Sequence, residues 1–490
     1  MEGKKHLFSF IYIVITTVLF SALSFVFCNH TYTYMEHWRT FFYDATYLFE
    51  QAQQVGGFSR LMADFLCQFF IHPAAGILIN AIILALITFE MHVYLSRIAW
   101  SNRLYLLAIL PALALFYTHT RNNYLYEGTI GIFLMLICLN LRQKISNKYV
   151  RRVYTIIATI LLYWLAGPIV MLFALTILVS RFSPFAFFPF AISFLLAGIS
   201  LRLGHQGDLL HLLSPHGSYV LGIAVNSTIA WMPWILWLAI LSLGLTIRHY
   251  RIPQWITKNL IFIQLILVTS FTIAGSKMYI DQKNETFKKL QTLCREERWN
   301  EVIQECNNNT LDNLLFVNCL NQALAETHQL DKKFKRIRGA SYECLMVEYV
   351  ASAYISAMIS DIYYSMGYIS QSQLSAFETN QQMHNLSPRM LQRLIKTNLI
   401  YGEYRVAEKY MNWLDKTYYY SDWVAHYRPM LYNDQAVEND PELGNKRCCL
   451  PKEDFFTGSV NKIEALERIV KQNPAHKSTS QYLDAIYQLR

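Results

Sequence analysis

The sequence predicts an all-α protein in two parts: a polytopic transmembrane helix bundle in residues 1–280 and an extracytoplasmic α-helical repeat domain in residues 281–490. Hydrophobic residues make up 53% of the 490 residues and charged residues only 16%, whereas soluble globular proteins carry about 25% charged residues. Long apolar stretches fill the first part, and apolar residues at helical spacing fill the second. This composition excludes an ordinary soluble enzyme and a disordered protein.

Apolar stretches long enough to cross a bilayer recur along the first part. A span needs about 20 residues. The first stretch, Leu7–Cys28, is too long for a signal peptide and has no cleavage site, so we expect it to be retained. The stretch 153–180 contains Gly167–Pro168 and is either one kinked helix or two spans, of which we favour two. The remaining spans are predicted near 74–94, 104–118, 128–141, 183–201, 230–247 and 259–276, which gives about nine.

The basic residues predict the orientation of these spans. With nine spans, thirteen lysines and arginines fall in the loops on one side and four on the other, and cytoplasmic loops are the basic ones. We therefore expect an inner-membrane protein with a cytoplasmic amino terminus and a periplasmic carboxyl-terminal domain.

The net charge does not indicate a nucleic-acid partner. Residues 1–280 hold 18 basic and 8 acidic residues, whereas residues 281–490 hold 25 and 26. The positive excess thus belongs to the membrane part, where it follows topology. Membrane lipids are the expected partners of these residues.

The first outer loop, residues 29–73, is where reactive side chains collect. Its length of about 45 residues is unusual for a helix connection. The sequence predicts two amphipathic helices on the membrane surface, separated at Gly56–Gly57. An active site in the membrane part would therefore open toward this side.

Residues 281–490 have the composition of a water-soluble helical domain. The segment FKKLQTLCREERWNEVIQEC predicts two helices with a break near Arg295–Trp299, and LQRLIKTNLIYGEYRVAEKYMNWLDK repeats this plan with Gly402 at the turn. Such units resemble tetratricopeptide repeats with irregular spacing. An irregular solenoid would bind a protein partner on its concave face, and a compact bundle packed over the outer loops is the alternative.

The cysteines and histidines do not indicate a metal site or a cofactor. Six of the nine cysteines lie in residues 281–490, without a C-x-x-C pair. A disulfide between distant cysteines stays open, because its connectivity cannot be deduced from spacing. The histidines lack the H-E-x-x-H spacing of a zinc enzyme.

Several segments resemble one protein family. FLCQFFIHPAAGILINAIILAL and YWLAGPIVMLFAL in the membrane part, with LIYGEYRVAEKYMNWLDK and LPKEDFFTG in the tail, resemble a family of uncharacterised polytopic membrane proteins from Bacteroidetes with a tetratricopeptide-like carboxyl-terminal region. The resemblance covers most of the chain. It implies a fold but no activity.

The membrane part is also similar to GT-C glycosyltransferases, which have many spans, an acidic residue in the first outer loop and a lipid-phosphate-linked sugar donor. This similarity implies a carboxylate that takes a proton from the acceptor hydroxyl and cations that bind the departing phosphate. It makes Asp44 and Glu36 candidate catalytic bases, and Arg39, Arg121 and Arg202 candidate phosphate-binding residues. A solvated helix face, a helix cap and lipid headgroup contacts are the plainer interpretations.

Two functions therefore remain open, and the sequence does not decide whether the protein is an enzyme. The first is a membrane-anchored scaffold or assembly factor in envelope biogenesis, with a partner bound to the repeat domain. The alternative is a GT-C-like glycosyltransferase acting on the outer face. An enzyme should bring Asp44 or Glu36 beside an outer arginine, whereas a scaffold would leave these residues dispersed.

Overall fold

A computed structural model confirms the predicted all-α class. In the part of the chain that it describes, the regular structure is helical and no strand occurs. The described residues are 2–98, 104–122, 124–204, 209, 211–215, 228–249, 254–309, 312–337, 342–347, 352–384, 386–451 and 462–489.

The chain folds into two compact units. The first unit comprises Met1–Tyr32 and Asp44–Gln282, and the second comprises Thr33–Tyr43 and Lys283–Arg490. The polypeptide thus passes between the units three times. The sequence predicts that the whole loop 29–73 belongs to the membrane part, whereas in the structure residues 33–43 belong with the carboxyl-terminal helices.

The helices of the first unit occupy most of its length. In chain order they are α1 (Glu2–Phe27), α2 (Thr31–Glu36, which continues into the second unit), α3 (Ala45–Ala52), α4 (Gly57–Cys67), α5 (Pro73–Ile98), α6 (Ile109–His119), α7 (Glu127–Lys144), α8 (Lys148–Ala166), α9 (Ile169–Ser180), α10 (Phe188–Arg202), α11 (Thr228–His249) and α12 (Gln254–Tyr279). Within this unit α1 packs on α5, α5 on α7, and α11 on both α6 and α9.

Six of these helical segments are long and apolar enough to cross a membrane. They are Leu7–Phe27, Pro73–Ile98, Lys148–Ala166, Pro184–Arg202, Thr228–Arg248 and Asn259–Tyr279. Each corresponds to a predicted span.

Three further predicted spans do not meet these limits. The helices α6 and α9 are apolar but short. The 11 residues of α6 extend only about 16 Å at 1.5 Å per residue, roughly half of a hydrocarbon core. The third, α7, includes Glu127, Arg142 and Lys144. The expected number of about nine spans is therefore not reached among the described residues.

The predicted break within 153–180 is present. The helix α8 ends at Ala166 and α9 begins at Ile169, and Gly167 between them has φ 59° and ψ −130°, a conformation that is essentially restricted to glycine. The backbone of Gly56, at the predicted break of the outer loop, lies against Gly167. The Gly56 amide donates to the Trp164 carbonyl at 2.9 Å. The two predicted breaks thus meet in the first unit.

The second unit consists of the segment 33–43 and a series of short helices. These are α13 (Gln282–Arg295), α14 (Trp299–Asn308), α15 (Leu314–Glu326), α16 (Leu330–Lys333), α17 (Ala353–Ser365), α18 (Ile369–Gln382), α19 (Pro388–Tyr401), α20 (Tyr404–Leu414), α21 (Ser421–Tyr427), α22 (Asp434–Asn439), α23 (Leu443–Arg447), α24 (Lys462–Gln472) and α25 (Lys477–Leu489). Along the chain α17, α18, α19 and α20 each pack on the next.

Four helices of the second unit each end in a turn of the same type. After α13, α15, α17 and α19 the chain passes through one residue with positive φ, namely Glu297, His328, Gly367 and Gly402. The amide that follows donates to the carbonyl five residues earlier, for example from Glu403 to Asn398 at 2.9 Å. This pattern is the Schellman motif, which satisfies the last carbonyls of a helix. It explains how the predicted turn at Gly402 reverses the chain.

Candidate functional site

The segment 33–43 contributes aromatic side chains to the core of the second unit. Tyr34 and Trp38 are buried. Their rings lie 6.0 Å and 4.9 Å from the ring of Tyr354, and Tyr34 also contacts Phe287 at 6.4 Å. An aromatic side chain buries roughly 150–250 Å², so these two residues supply a large share of the apolar area that holds the segment.

Backbone hydrogen bonds fix the segment at two further points. The Ser387 hydroxyl donates to the His37 carbonyl at 2.8 Å and accepts from the Met390 amide at 3.3 Å, so it also caps α19. At the end of the segment the Tyr43 amide donates to the Lys416 carbonyl at 2.7 Å. The segment is therefore held by the starts and ends of helices as well as by its side chains.

Glu36, one of the two predicted bases, lies in an ion cluster of the second unit. Its side chain is 1% exposed. Arg295 Nη1 donates to one carboxylate oxygen at 2.7 Å, and the Tyr420 hydroxyl donates to the other. Arg295 Nη2 also donates to the Tyr420 hydroxyl at 2.6 Å. This arrangement gives Glu36 a structural role, because it ties the segment 33–43 to α13 and to the start of α21.

Electrostatics keep this cluster in its charged and hydrogen-bonded form. Burial lowers the pKa of Arg295, but the neighbouring Tyr420 and Glu36 outweigh it, so that the pKa is raised above the ordinary value. Burial, opposed by Arg295, raises the pKa of Tyr420. The guanidinium therefore stays protonated and the phenol stays a donor at neutral pH.

The other predicted site residues are divided between the units. Asp44 begins α3 in the first unit, where its carboxylate accepts from the Tyr47 amide at 3.1 Å. Arg39 is half-buried in the second unit, whereas Arg121 and Arg202 are exposed in the first. Catalytic roles for Asp44 and Glu36 and phosphate-binding roles for the three arginines stay predictions.

Three largely buried basic residues lie on one side of α19 in the second unit. Arg389, Arg393 and Lys396 follow the spacing i, i+4, i+7 and share one side of the helix; we call them the α19 basic face. Asp361 of α17 accepts from Arg389 Nη2 and, at 2.9 Å, from Arg393 Nη2. Burial raises the pKa of Asp361, but the two guanidiniums outweigh it and hold the pKa below the usual value.

Two residues of the α19 basic face, Arg393 and Lys396, also contact Tyr364 and Glu442. Lys396 Nζ lies 2.8 Å from the Glu442 carboxylate, which also accepts from the Tyr364 hydroxyl at 2.7 Å. The Arg393 guanidinium stacks 3.6 Å from the centre of the Tyr364 ring, close enough for a strong cation–π contact. This face is absent from the predicted site residues, although its helical spacing in the sequence was a usable signal.

The first unit contains a buried polar network near the end of α6 and the start of α7. His119 Nε2 lies 2.9 Å from the Thr129 hydroxyl, which also bonds to the Tyr124 hydroxyl. Asn80 of α5 accepts from the Tyr126 hydroxyl at 3.3 Å. Polar groups inside an apolar bundle are costly unless they pair with one another, and these side chains do so.

Charged residues of α4 extend the polar character of this unit. Arg60 Nε donates to Glu127 at 3.0 Å, and Asp64 accepts from the Tyr47 hydroxyl at 2.9 Å. Both Arg60 and Asp64 lie within the predicted outer loop 29–73. Their partners lie on other helices, and one sequence carries no signal for such pairing.

The cysteines of the chain are all free thiols, so the disulfide left open by the sequence is not formed. Cys448 is exposed, and the other eight cysteines are buried or half-buried. Among the described residues, no group of three or more His, Cys, Asp and Glu side chains could hold a metal ion.

One protein family matches the chain from its first helix to its last. Residues 8–490 match a family described as Family of unknown function (DUF6057). The chain belongs to this family. The match spans both units, which confirms the expected membership of a family without an established activity. The matched range includes the segment 33–43 and the helices that enclose it. No curated protein and no solved structure matches the chain.

Replacing Glu36 by alanine should release the segment 33–43. Removing one partner of a buried ion pair leaves the other charge unpaired, which costs about 3–5 kcal/mol. Hydrogen–deuterium exchange on the full chain in detergent should show faster exchange of the amides of 33–43. The control is Asp415→Ala, which removes the exposed pair with Arg428 (2.9 Å) and should leave these amides unchanged. Wild-type exchange in the Glu36 variant would show that the ion cluster does not hold the segment.

Acidification should lower the free energy needed to open the segment 33–43, because His37 becomes protonated when the segment opens. Burial and the nearby Arg295 and Arg389 lower the pKa of His37 well below its usual value. When the segment opens, His37 regains the ordinary histidine pKa of about 6.5. At a pH between this value and the lowered pKa of the folded state, the open state therefore binds more protons than the folded state. The free energy of opening should therefore fall as the pH falls below about 6.5, by at most about 1.4 kcal/mol per pH unit.

Hydrogen exchange of 33–43, corrected for its intrinsic pH dependence, measures this effect. His37→Gln should remove most of the difference between neutral and mildly acidic pH, because glutamine does not titrate. The buried His476, whose pKa burial and Lys446 lower to about 3, is present in both proteins and cancels in the comparison. An equal pH dependence in the variant and the wild type would assign the effect to other groups.

Proposed function

We propose that the protein is a membrane-anchored scaffold or assembly factor of envelope biogenesis, in which the first unit is the anchor and the second unit, a tetratricopeptide-like helical domain, binds a protein partner. The observation that carries this proposal is the insertion of 33–43 into the second unit. It gives the domain three covalent connections to the anchor.

None of the three connections contains a free linker. Tyr32 accepts from Asn80 in the first unit, and Tyr34, two residues later, is buried in the second. Tyr43 is bonded to Lys416, and the next residue, Asp44, caps α3. The third connection, at Gln282, lies within the helix α13. Such connections favour a domain that positions its partner.

The surface proposed for the partner lies on α20 and the turn that follows it. Val406 and Trp413 are both 39% exposed and Tyr418 is 66% exposed. Lys409 Nζ lies 6.0 Å from the centre of the Trp413 ring. Exposed aromatic side chains beside a cation are typical of the energetically important residues of protein interfaces.

The six apolar helices support a membrane location, and the basic loops support an inner membrane with the amino terminus in the cytoplasm. In this orientation the second unit and its partner are periplasmic. Membrane lipids then surround the exposed apolar faces of the spans.

Labelling of Cys448 tests the orientation, because Cys448 is the exposed cysteine of the nine. A membrane-impermeant maleimide should label the protein in whole cells whose outer membrane has been made permeable. Cys448→Ser should lose this label, while Cys138→Ser, which removes a half-buried thiol, should keep it. Labelling that appears only after lysis of the inner membrane would put the second unit in the cytoplasm and would contradict the proposal.

A complementation experiment separates the scaffold from the glycosyltransferase. Asp44→Asn removes the carboxylate, but asparagine is an equally good N-cap, so α3 should be retained. A scaffold carrying this change should restore a deletion strain fully. Trp413→Ala with Tyr418→Ala should fail to do so at normal membrane levels, because loss of an interface hot spot costs about 2 kcal/mol or more, roughly thirtyfold in affinity.

The opposite result would favour an enzyme. If Asp44→Asn abolished complementation while the double variant retained it, the scaffold would be wrong, and a GT-C-like transferase with a lipid-phosphate-linked donor would replace it. Leu374→Ala with Phe377→Ala, which removes two exposed apolar side chains from α18, is the matched control for surface truncation. It should complement normally.

A further inference from the structure

Two buried arginines of the α19 basic face have more hydrogen-bond donors than partners. The Arg389 side chain is 3% exposed and that of Arg393 is 17% exposed. Only Nη2 of each is bonded: Arg389 Nη2 donates to Asp361 and, at 3.0 Å, to Gln291, and Arg393 Nη2 donates to Asp361. Among the described residues, Nε and Nη1 of both arginines are buried and have no hydrogen-bond partner.

Such donors are rare in folded proteins. Burying a polar group without a hydrogen bond is costly, and the cost is larger for a charged group. The stacking of Arg393 on Tyr364 covers the face of one guanidinium, but it does not accept the hydrogen atoms at its edge. Four donor nitrogens on two adjacent guanidiniums therefore remain available to an acceptor.

At Arg389 and Arg393 the positive charge exceeds the negative charge, because Asp361 is the carboxylate that pairs with both guanidiniums. Four cations lie along this part of the second unit, and three carboxylates pair with them. A fourth carboxylate, that of the exposed Glu297, lies 3.8 Å from Lys396 Nζ. The cations are Arg295, Arg389, Arg393 and Lys396, and the carboxylates are Glu36, Asp361 and Glu442. Asp361 carries one negative charge and pairs with both guanidiniums, so one of the two positive charges of Arg389 and Arg393 is not neutralised.

We propose that Arg389 and Arg393 form a binding site for a phosphate-type oxyanion. Inorganic phosphate offers four oxygens and a phosphate monoester offers three terminal oxygens, so either can accept from more of these four donor nitrogens than a carboxylate, which offers two. Guanidinium groups match phosphate geometry and bind it through paired N–H donors. The half-buried Gln392 and Arg393 at the edge of the site would shift to admit it. The proposal is independent of the partner surface on α20.

The source of the phosphate is either a soluble ion or ester, or a lipid headgroup. A soluble monoester and a monoester headgroup, such as that of phosphatidic acid, present the same three terminal oxygens, so the structure assigns the chemistry of the group and the experiment distinguishes the source.

Binding is tested first with inorganic phosphate on the full chain in detergent. Thermal stability and titration calorimetry compare phosphate with chloride and acetate at equal ionic strength. We expect a saturable stabilisation by phosphate alone. Arg393→Gln should lower the phosphate affinity at least about tenfold, because hydrogen bonds to charged groups are the strong ones. Arg428→Gln, at an exposed ion pair, is the matched control and should bind as the wild type does.

A second variant moves the affinity in the other direction. Asp361→Asn keeps the shape of the side chain and removes the negative charge nearest to the site, so phosphate should bind at least about threefold more tightly. A merely structural pair of arginines would not give opposite changes in the two variants. If either variant does not fold, Lys396→Gln, at the half-buried end of the face, should still weaken phosphate binding about threefold.

Reconstitution distinguishes the two sources. Bilayers that contain phosphatidic acid, whose monoester headgroup has three terminal oxygens, should compete with soluble phosphate if the site takes a lipid headgroup, and bilayers of phosphatidylcholine, a diester, should compete less. Unchanged phosphate affinity in both bilayers assigns a soluble phosphate. Equal stabilisation by phosphate, chloride and acetate, or unchanged phosphate affinity in all three site variants, would overturn the proposal.

Discussion

The ion pair between Glu36 and Arg295 is the interaction on which the organisation of the second unit depends. It joins residues that are 259 positions apart, one before most of the spans and one after all of them. Removing two charges from water is expensive, and the pair is stable only if its remaining hydrogen-bonding atoms are satisfied. Tyr420 and Gln392 provide those contacts. Arg295 therefore has its carboxylate partner only when 33–43 is in place.

The ion pair between Glu36 and Arg295 also determines which aromatic residues of the outer loop are buried in the second unit. Tyr34 and Trp38 are buried in the second unit, Phe70 is buried in the first, and Phe49 on α3 is 66% exposed. An amphipathic surface segment and a buried insertion have similar compositions, because both need large apolar side chains. What separates them is the placement of a charge: Glu36 sits among the buried aromatics and requires a buried cation as its partner.

Local chemistry made part of this structure predictable. Gly167–Pro168 breaks the stretch 153–180, because glycine alone tolerates the backbone angles of Gly167, and Gly402 ends α19 in a left-handed turn. The insertion of 33–43 was not predictable, since its partners Arg295, Ser387 and Tyr420 follow the last span in the chain. The predicted count of about nine spans is not confirmed, for a different reason. Apolarity identifies α6 and α9, but their lengths depend on turns that the sequence marks only weakly.

The residues Glu36 and Asp44 show what this topology implies for chemistry. They are eight positions apart and were grouped as candidate bases, yet the chain changes unit between them, at the peptide bond from Tyr43 to Asp44. Tyr43 is bonded through its amide to Lys416, while the Asp44 side chain satisfies an amide at the start of α3. Both carboxylates thus serve the ends of the same insertion, one by ion pairing and one by helix capping. The contacts of these two carboxylates in the first loop therefore stabilise the fold, Glu36 by its ion pair with Arg295 and Asp44 by capping α3.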